Sequence, residues 1–179
     1  MAPRSATPPS KFARFFQAAR ERGFRTTIHA GEEGPAAYVR EALELLHVDR
    51  IDHGNACLAD PDLVRELAAR RIPLTVCPLS NLRLKVVPSM QEHPLKALMA
   101  HGLHVTVNSD DPPYFDGYVT ENLLACRDAL GLSPEEIVRL VRNGLEAALV
   151  TEEERRALLA RLDAYVAAHA DALVAASAG

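Results

Sequence analysis

Residues 103–112 read LHVTVNSDDP, an apolar run followed at once by four polar residues and a proline. The run predicts a buried β-strand over Leu103–Val107, because it is short, rich in β-branched residues and preceded by the turn-forming Gly102. Three earlier segments repeat the arrangement, with strands predicted at Phe24–Ile28, Arg50–Asp52 and Ile72–Val76. In each of the four segments, polar residues come directly after the predicted strand.

Helical patterns precede, separate and follow these strands. Apolar residues recur at helical spacing in four segments, namely Lys11–Arg22, Pro35–Leu46, Asp60–Arg70 and Leu95–Ala100. Strands that alternate with helices predict an α/β fold, with βα units on a parallel sheet over about residues 11–112. Capping boxes that begin at Ser133 and Thr151 predict C-terminal helices over about residues 120–174. We therefore expect one domain over residues 1–179 with a helical C-terminal extension.

Composition excludes several classes of protein. Of the 179 residues 48% are hydrophobic, and the net charge of −4 favours neither nucleic acid nor an anionic membrane as a partner. No apolar run approaches the roughly 20 residues that a membrane span needs. The three cysteines are scattered without CxxC spacing, which indicates a reducing compartment. We therefore expect a cytoplasmic protein.

Five of the polar residues after the strands carry chemistry that fits together. Parallel strands present their carboxyl ends at one edge of a sheet, where α/β proteins place active sites. His29 and Asp110 offer a nitrogen and an oxygen ligand that suit zinc. Glu32 can exchange protons, His53 can donate or accept a hydrogen bond, and Asp111 can bind a polar substrate atom. Taken singly, each motif is more typical of a turn, a helix cap or a surface ion pair, so their shared position carries the prediction.

The remaining histidines and the cysteines fit ordinary structural positions. His104 lies inside a predicted strand and is expected to be a hydrogen-bonded packing residue. The other four histidines are expected at helix ends or on the surface, and these are His47, His93, His101 and His169. We expect the cysteines to be small buried hydrophobic residues.

Four motifs, in this order, resemble the adenosine/adenine deaminases: TIHAGE at 27–32, DHG at 52–54, CPLSN at 77–81 and NSDDP at 108–112. The members of that family are zinc-dependent (β/α)8-barrel hydrolases. The resemblance runs from about Pro8 to the C-terminal helices. It implies that the chain is the C-terminal half of a TIM-type (β/α)8 barrel.

The resemblance also implies a role for each of the five residues. His29 and Asp110 would be zinc ligands. Glu32 would donate a proton to the purine ring nitrogen beside the attacked carbon. His53 would help to activate and orient the zinc-bound water, and Asp111 would accept a hydrogen bond from the purine. Zinc lowers the pKa of a bound water to about 7, so that hydroxide is available at neutral pH.

Within the family, the sequence looks most like the adenine deaminase branch, which converts the free base to hypoxanthine and ammonia in purine salvage. Adenosine-specific members usually have glycine before the histidine that aligns with His53, whereas this chain has Asp52. The runs at 29–35, 73–81 and 109–118 also look like that branch. Deamination of adenosine or of an adenine substituted at N6 remains an alternative.

The chain departs from the family pattern in its length and in its histidines. A full barrel needs eight strands and about 250 residues, whereas four strands are predicted here. The family's first two zinc ligands form a His-x-His pair, which does not occur in this sequence. We therefore expect a fragment, from a truncated gene or a misplaced start, that lacks two of four zinc ligands and is inactive alone.

An open half-barrel is expected to expose two sheet edges, which favours assembly with the missing N-terminal half or self-association. Two further alternatives stay open. The chain is either a non-catalytic half-barrel that needs a partner, or an amidohydrolase that acts on another amine.

Overall fold

The predicted strands form one parallel sheet whose order, β1-β2-β3-β4, follows the chain. In the computed structural model, which describes residues 7–177, the strands are β1 (Thr27–Ala30), β2 (Arg50–His53), β3 (Pro73–Val76) and β4 (His104–Val107). Each neighbouring pair is parallel and in register. All four carboxyl ends therefore lie at one edge of the sheet, which confirms the predicted topology.

The two faces of the sheet differ in polarity. One face carries an apolar row of in-register residues, Ile51, Leu74 and Val105, all fully buried. The opposite face carries a polar row at neighbouring register positions, made of His29, Asp52, Thr75 and Thr106. Successive strand residues point to opposite faces, so this alternation within each strand separates a core side from a polar side.

Helices precede and separate the strands. They are α1 (Ala13–Glu21), α2 (Ala36–Glu44), α3 (Pro61–Ala69), α4 (Pro78–Arg83) and α5 (Leu95–Ala100), with 3-10 helices at Pro9–Phe12, Asn55–Ala59 and Met90–Glu92. Leucines and valines of α2, α3 and α5 join the apolar row in one hydrophobic core. The Asp60 carboxylate caps α3 by accepting two backbone N–H groups at 3.1 Å, as the sequence predicts.

The first strand begins at Thr27 rather than at the predicted Phe24. The Phe24 side chain is exposed, and the backbone N–H of Thr26 donates to a carboxylate oxygen of Asp49 at 2.8 Å. Pairing with β2 starts one residue later, where Thr27 is in register with Arg50. Interstrand pairing, rather than the apolar run, therefore sets the strand boundary. The same pairing extends β1 to Ala30, in register with His53, so His29 lies within its strand instead of after it.

The chain beyond β4 is helical in its described part. The helices are α6 (Pro112–Phe115), α7 (Val119–Leu130), α8 (Pro134–Ala147), α9 (Glu152–Ala168) and α10 (Ala170–Ser177). Both predicted capping boxes are present, at Ser133 and at Thr151. Within residues 7–177, no helix has the length and apolar character that crossing a membrane requires.

Helix α8 covers the outer edge of β4. Nδ2 of Asn143 donates to the carbonyl oxygen of Val105 at 2.8 Å, and Nε2 of His104 lies 3.2 Å from the carbonyl oxygen of Asn143. All four residues of β4 are buried. The expectation of two exposed sheet edges is therefore wrong for β4, because a side-chain amide takes the place of a neighbouring strand. His104 is the hydrogen-bonded packing residue that the sequence predicts.

Candidate active site

The ends of β1 and β2 bring His53 and Glu32 together. His53 is the last residue of β2 and its side chain is almost fully buried, while Glu32 follows β1 by two residues and is mostly buried. Nδ1 of His53 and Oε1 of Glu32 are 3.4 Å apart. Within the described part of the chain, Nδ1 of His53 has no hydrogen-bond partner. A buried imidazole nitrogen is thus available to a ligand or to a small shift of Glu32.

Left-handed backbone conformations shape the turns around this pair. Gly31 has a φ of +75°, and a Cβ there would lie 2.4 Å from Cγ2 of Val39, so only glycine fits between His29 and Glu32. His53 and Asp110 also have positive φ values, of 66° and 58°. For residues other than glycine, this conformation costs about 1–2 kcal/mol, and such strain is common at functional sites.

His29 lies beside the carboxylate of Asp52. Its side chain is 70% exposed, and its Nδ1 is 3.8 Å from Oδ2 of Asp52. The hydroxyls of Thr27 and Thr75 each donate to Asp52 at 2.7 Å, which fixes the position of that carboxylate. The rings of His29 and His53 are 5.0 Å apart between centroids. Asp52 is therefore a further carboxylate of the site, although its place in the sequence indicated only the branch of the family.

Asp110 lies at the same edge of the sheet, after β4. One ligand atom each of His53, Cys77 and Asp110 lie within 4.8 Å of one another. His29 and Asp110 line the same open cavity of about 330 Å³. The prediction that these side chains converge at the carboxyl ends of the strands is therefore met by His29, Glu32, His53 and Asp110.

Asp111 is placed differently from the other four. It is exposed at the position that precedes α6, and its backbone carbonyl accepts the N–H of Phe115 at 2.9 Å. In the described residues, no hydrogen bond or ion pair joins its side chain to the site. Asp111 is thus the N-cap residue of α6, and its side chain is exposed to solvent.

Burial shifts the pKa of Glu32 and the pKa of His53 in the directions that favour the neutral form of each side chain. The pKa of Glu32 is raised to about 7, first by desolvation and then by the negative charges of Asp110 and Glu33. A hydrogen bond from Asn81 opposes that shift. The pKa of His53 is lowered to about 4, first by desolvation and then by the neighbouring His29. Near neutral pH, the site thus holds a carboxyl that can give up a proton beside a neutral imidazole.

A buried amide network supports Glu32 from below. Nδ2 of Asn81 donates to Oε1 of Glu32 at 3.2 Å. Oδ1 of Asn81 accepts from Nδ2 of Asn55 at 2.7 Å and lies 3.2 Å from Nε2 of His93. Asn81 belongs to the motif at 77–81 and Asn55 directly follows the motif at 52–54, but no local pattern assigned either of them a role. The expectation that His93 is a surface residue is wrong, because it is 4% exposed and its two ring nitrogens lie within hydrogen-bond distance of Asn81 and of the backbone N–H of Leu95.

The kinds of donor atom at this edge suit zinc, but their number is incomplete. His29 and Asp110 offer the nitrogen and oxygen ligands that zinc accepts, and Nδ1 of His53, which has no hydrogen-bond partner among residues 7–177, lies close by. The third nearby donor, Cys77, is less suited, since burial and three surrounding carboxylates raise the pKa of its thiol. Two suitable ligands fall short of the three or four protein ligands of most zinc sites.

Four parallel βα units with histidines and carboxylates at their carboxyl ends correspond to half of a (β/α)8 barrel. An amidohydrolase from Burkholderia ambifaria, solved with bound zinc, superposes with a TM-score of 0.87 at 31% identity. That match covers 96% of this chain and 48% of the amidohydrolase. An adenine deaminase from Arthrobacter aurescens gives the same TM-score at 47% identity, over 91% of this chain and 51% of the other.

The family profile described as adenosine deaminase matches residues 2–165, so the chain belongs to the adenosine deaminase family. Among curated relatives, a protein named adenine deaminase from Rhodopseudomonas palustris is 83% identical over 163 residues, which are 91% of this chain and 48% of the relative. An adenine deaminase from Caulobacter vibrioides is 53% identical, over 90% of this chain and 47% of the relative. The chain therefore spans about half the length of the curated relatives it matches.

Proposed function

We propose that this chain supplies one half of the active site of a zinc-dependent enzyme that deaminates adenine to hypoxanthine and ammonia. The observation that carries the proposal is the pairing of Glu32, whose pKa is about 7, with the buried His53 at the sheet edge where His29 and Asp110 line one cavity. Relatives named adenine deaminase support the choice of substrate.

His29 and Asp110 would hold the zinc ion. When bound, zinc supplies a water molecule whose pKa is lowered to about 7 and which can attack as hydroxide. Asp52 lies on the Nδ1 side of His29, so it can accept the Nδ1 proton and leave Nε2 of that ring for the metal. Two further ligands are proposed to come from a His-x-His pair outside this chain.

Glu32 would protonate the substrate. A carboxyl whose pKa is about 7 is protonated in roughly half of the molecules at neutral pH, which suits a general acid. It would give its proton to the purine ring nitrogen beside the carbon that bears the amine, which makes that carbon electrophilic. His53, neutral above about pH 4, would orient the attacking water through its buried ring. Asp111 would accept a hydrogen bond from the purine at the rim of the site.

The missing half would join the open side of the sheet. In the described residues, β1 pairs with β2 alone, and the exposed His29 side chain lies on this first strand. A chain carrying four more βα units would pair with the free edge of β1 and cover the polar face of the sheet. Self-association of two half-barrels would cover the same surfaces but would supply no His-x-His pair.

A reducing compartment such as the cytoplasm is proposed for the protein. Cys57, Cys77 and Cys126 are buried free thiols, which fits a protein that makes no use of disulfides.

The proposal can be tested with a chimera. Residues 1–179 would be fused to the half of the Rhodopseudomonas palustris relative that the chain does not cover, since the chain matches 48% of that relative at 83% identity. We expect the purified chimera to contain about one zinc per chain and to release ammonia from adenine. Adenosine and N6-methyladenine serve as competing substrates. A folded, zinc-loaded chimera that deaminates none of the three would overturn the proposal, and preference for another of them would correct the substrate.

A further inference from the structure

His93 is a buried residue that the proposed mechanism does not use. It lies in the loop between the 3-10 helix at Met90–Glu92 and α5, with 4% of its surface exposed. It is nevertheless two hydrogen bonds away from the carboxyl of Glu32.

The hydrogen bonds of His93 fix its tautomer. The backbone N–H of Leu95 donates to Nδ1 of His93 at 3.2 Å, so that nitrogen acts as an acceptor. In a neutral imidazole, the other nitrogen then carries the proton. Desolvation lowers the pKa of His93 to about 4, so the ring is neutral at physiological pH. Nε2–H of His93 therefore donates to Oδ1 of Asn81.

The orientation of the Asn81 amide follows from its two donors. Oδ1 of Asn81 receives hydrogen bonds from Nε2 of His93 and from Nδ2 of Asn55, which occupy both of its lone pairs. The amide nitrogen must then face the opposite way, where it donates to Oε1 of Glu32. If the amide were flipped, it would present an oxygen to the carboxylate and repel its ionised form.

We propose that His93 is a positioning residue for Glu32, acting through Asn81 to hold the carboxyl beside His53. This inference rests on the proposed function, in which Glu32 transfers the proton. A fixed amide donor keeps Oε1 of Glu32 in place and leaves Oε2 to carry the transferred proton. The hydrogen bond from Asn81 also stabilises the carboxylate of Glu32 that remains after the proton has left.

Kinetics of the chimera test the positioning role. His93→Leu removes the donor at similar volume, and we expect kcat for adenine to fall about 10- to 100-fold, as is typical when a catalytic group is misplaced. KM should change little, since His93 does not touch the substrate. His93→Gln offers an amide N–H near the position of Nε2 and should restore most of kcat. His104→Leu is the matched control, because that buried histidine bonds to Asn143 instead, and its kcat should stay near that of the parent.

A second measurement tests the hydrogen-bonded link from His93 through Asn81 to Glu32 and does not depend on catalytic activity. In the 179-residue chain, ¹⁵N NMR should show His93 protonated at Nε2, and His93→Leu should shift the side-chain amide signals of Asn81 and the carboxyl ¹³C signal of Glu32. His104→Leu should leave those signals in place. An inactive parent chimera would overturn the proposed function. Unchanged Asn81 and Glu32 signals in His93→Leu would instead overturn the positioning of Glu32 by His93. Equal losses of kcat in His93→Leu and His104→Leu would also contradict a positioning role.

Discussion

Nδ1 of His53 lies 3.4 Å from Oε1 of Glu32, and burial shifts the pKa of each group so that its neutral form is favoured. The carboxyl has a pKa of about 7 and the imidazole a pKa of about 4. Between these values, the pair therefore holds one proton, on the carboxyl. Two groups whose environments push their pKa values apart in this way are typical of acid–base catalysis.

Replacing Glu32 by glutamine should abolish deamination by the chimera while leaving its zinc in place. Glutamine keeps the volume and an oxygen that can accept the Asn81 hydrogen bond, but it cannot transfer a proton. General acid–base groups contribute roughly 10²- to 10⁴-fold to the rate, so kcat should fall by at least that factor. Ammonia release and metal content would be measured together. Activity near that of the parent would show that another group is the acid.

The same substitution should change the pH dependence of stability. The folded chain retains a proton on Glu32 up to about pH 7, whereas the unfolded chain releases it near 4.5, so ionisation lowers the free energy of unfolding as pH rises through this range. Glu32→Gln removes that cost. The free energy of unfolding of Glu32→Gln, relative to that of the parent, should therefore increase by on the order of 2–3 kcal/mol from pH 5 to pH 8.

Urea denaturation at the two pH values would measure this gain. Glu153→Gln, which removes an exposed carboxylate from the first turn of α9, serves as the control and should show no such gain. If the free energies of unfolding of Glu32→Gln and the parent differ by the same amount at pH 5 and at pH 8, the raised pKa of Glu32 is contradicted.

The 179-residue chain alone should bind zinc substoichiometrically and release no ammonia from adenine. It offers His29 and Asp110, whereas zinc sites take three or four protein ligands, so the ion would stay largely hydrated and loosely held. Metal analysis after dialysis would be compared with that of the chimera. Tightly held, stoichiometric zinc in the chain alone would point to further ligands within it.

Gly31→Ala should destabilise the fold more than Gly102→Ala does. Both glycines have positive φ, of +75° and +73°, so both substitutions incur a backbone cost of about 1 kcal/mol. A Cβ at Gly31 would also meet the Val39 side chain at 2.4 Å, whereas one at Gly102 would meet nothing within 4 Å. We expect a total loss of about 2–4 kcal/mol for Gly31→Ala, measured by thermal or urea unfolding. Equal losses would mean that Val39 moves aside freely.

The sequence by itself determined the strand order and the edge of the sheet that carries the site. Apolar runs separated by helical patterns predict parallel βα units, and parallel strands leave no choice about where their carboxyl ends lie. The polar residues after those runs could therefore be grouped from sequence, and His29, Glu32, His53 and Asp110 do converge. Local signals also sufficed for the caps at Asp60, Ser133 and Thr151, because a cap depends on residues three apart in the chain.

Only the tertiary structure decided the features that depend on contacts distant in sequence. The start of β1 at Thr27 is set by pairing with β2, and the protection of β4 is set by Asn143 of a distant helix. The burial of His93 and its link to Glu32 through Asn81 join three segments that no local pattern connects. The neutral forms of Glu32 and His53 likewise arise from desolvation, and desolvation depends on what the rest of the chain packs around a group.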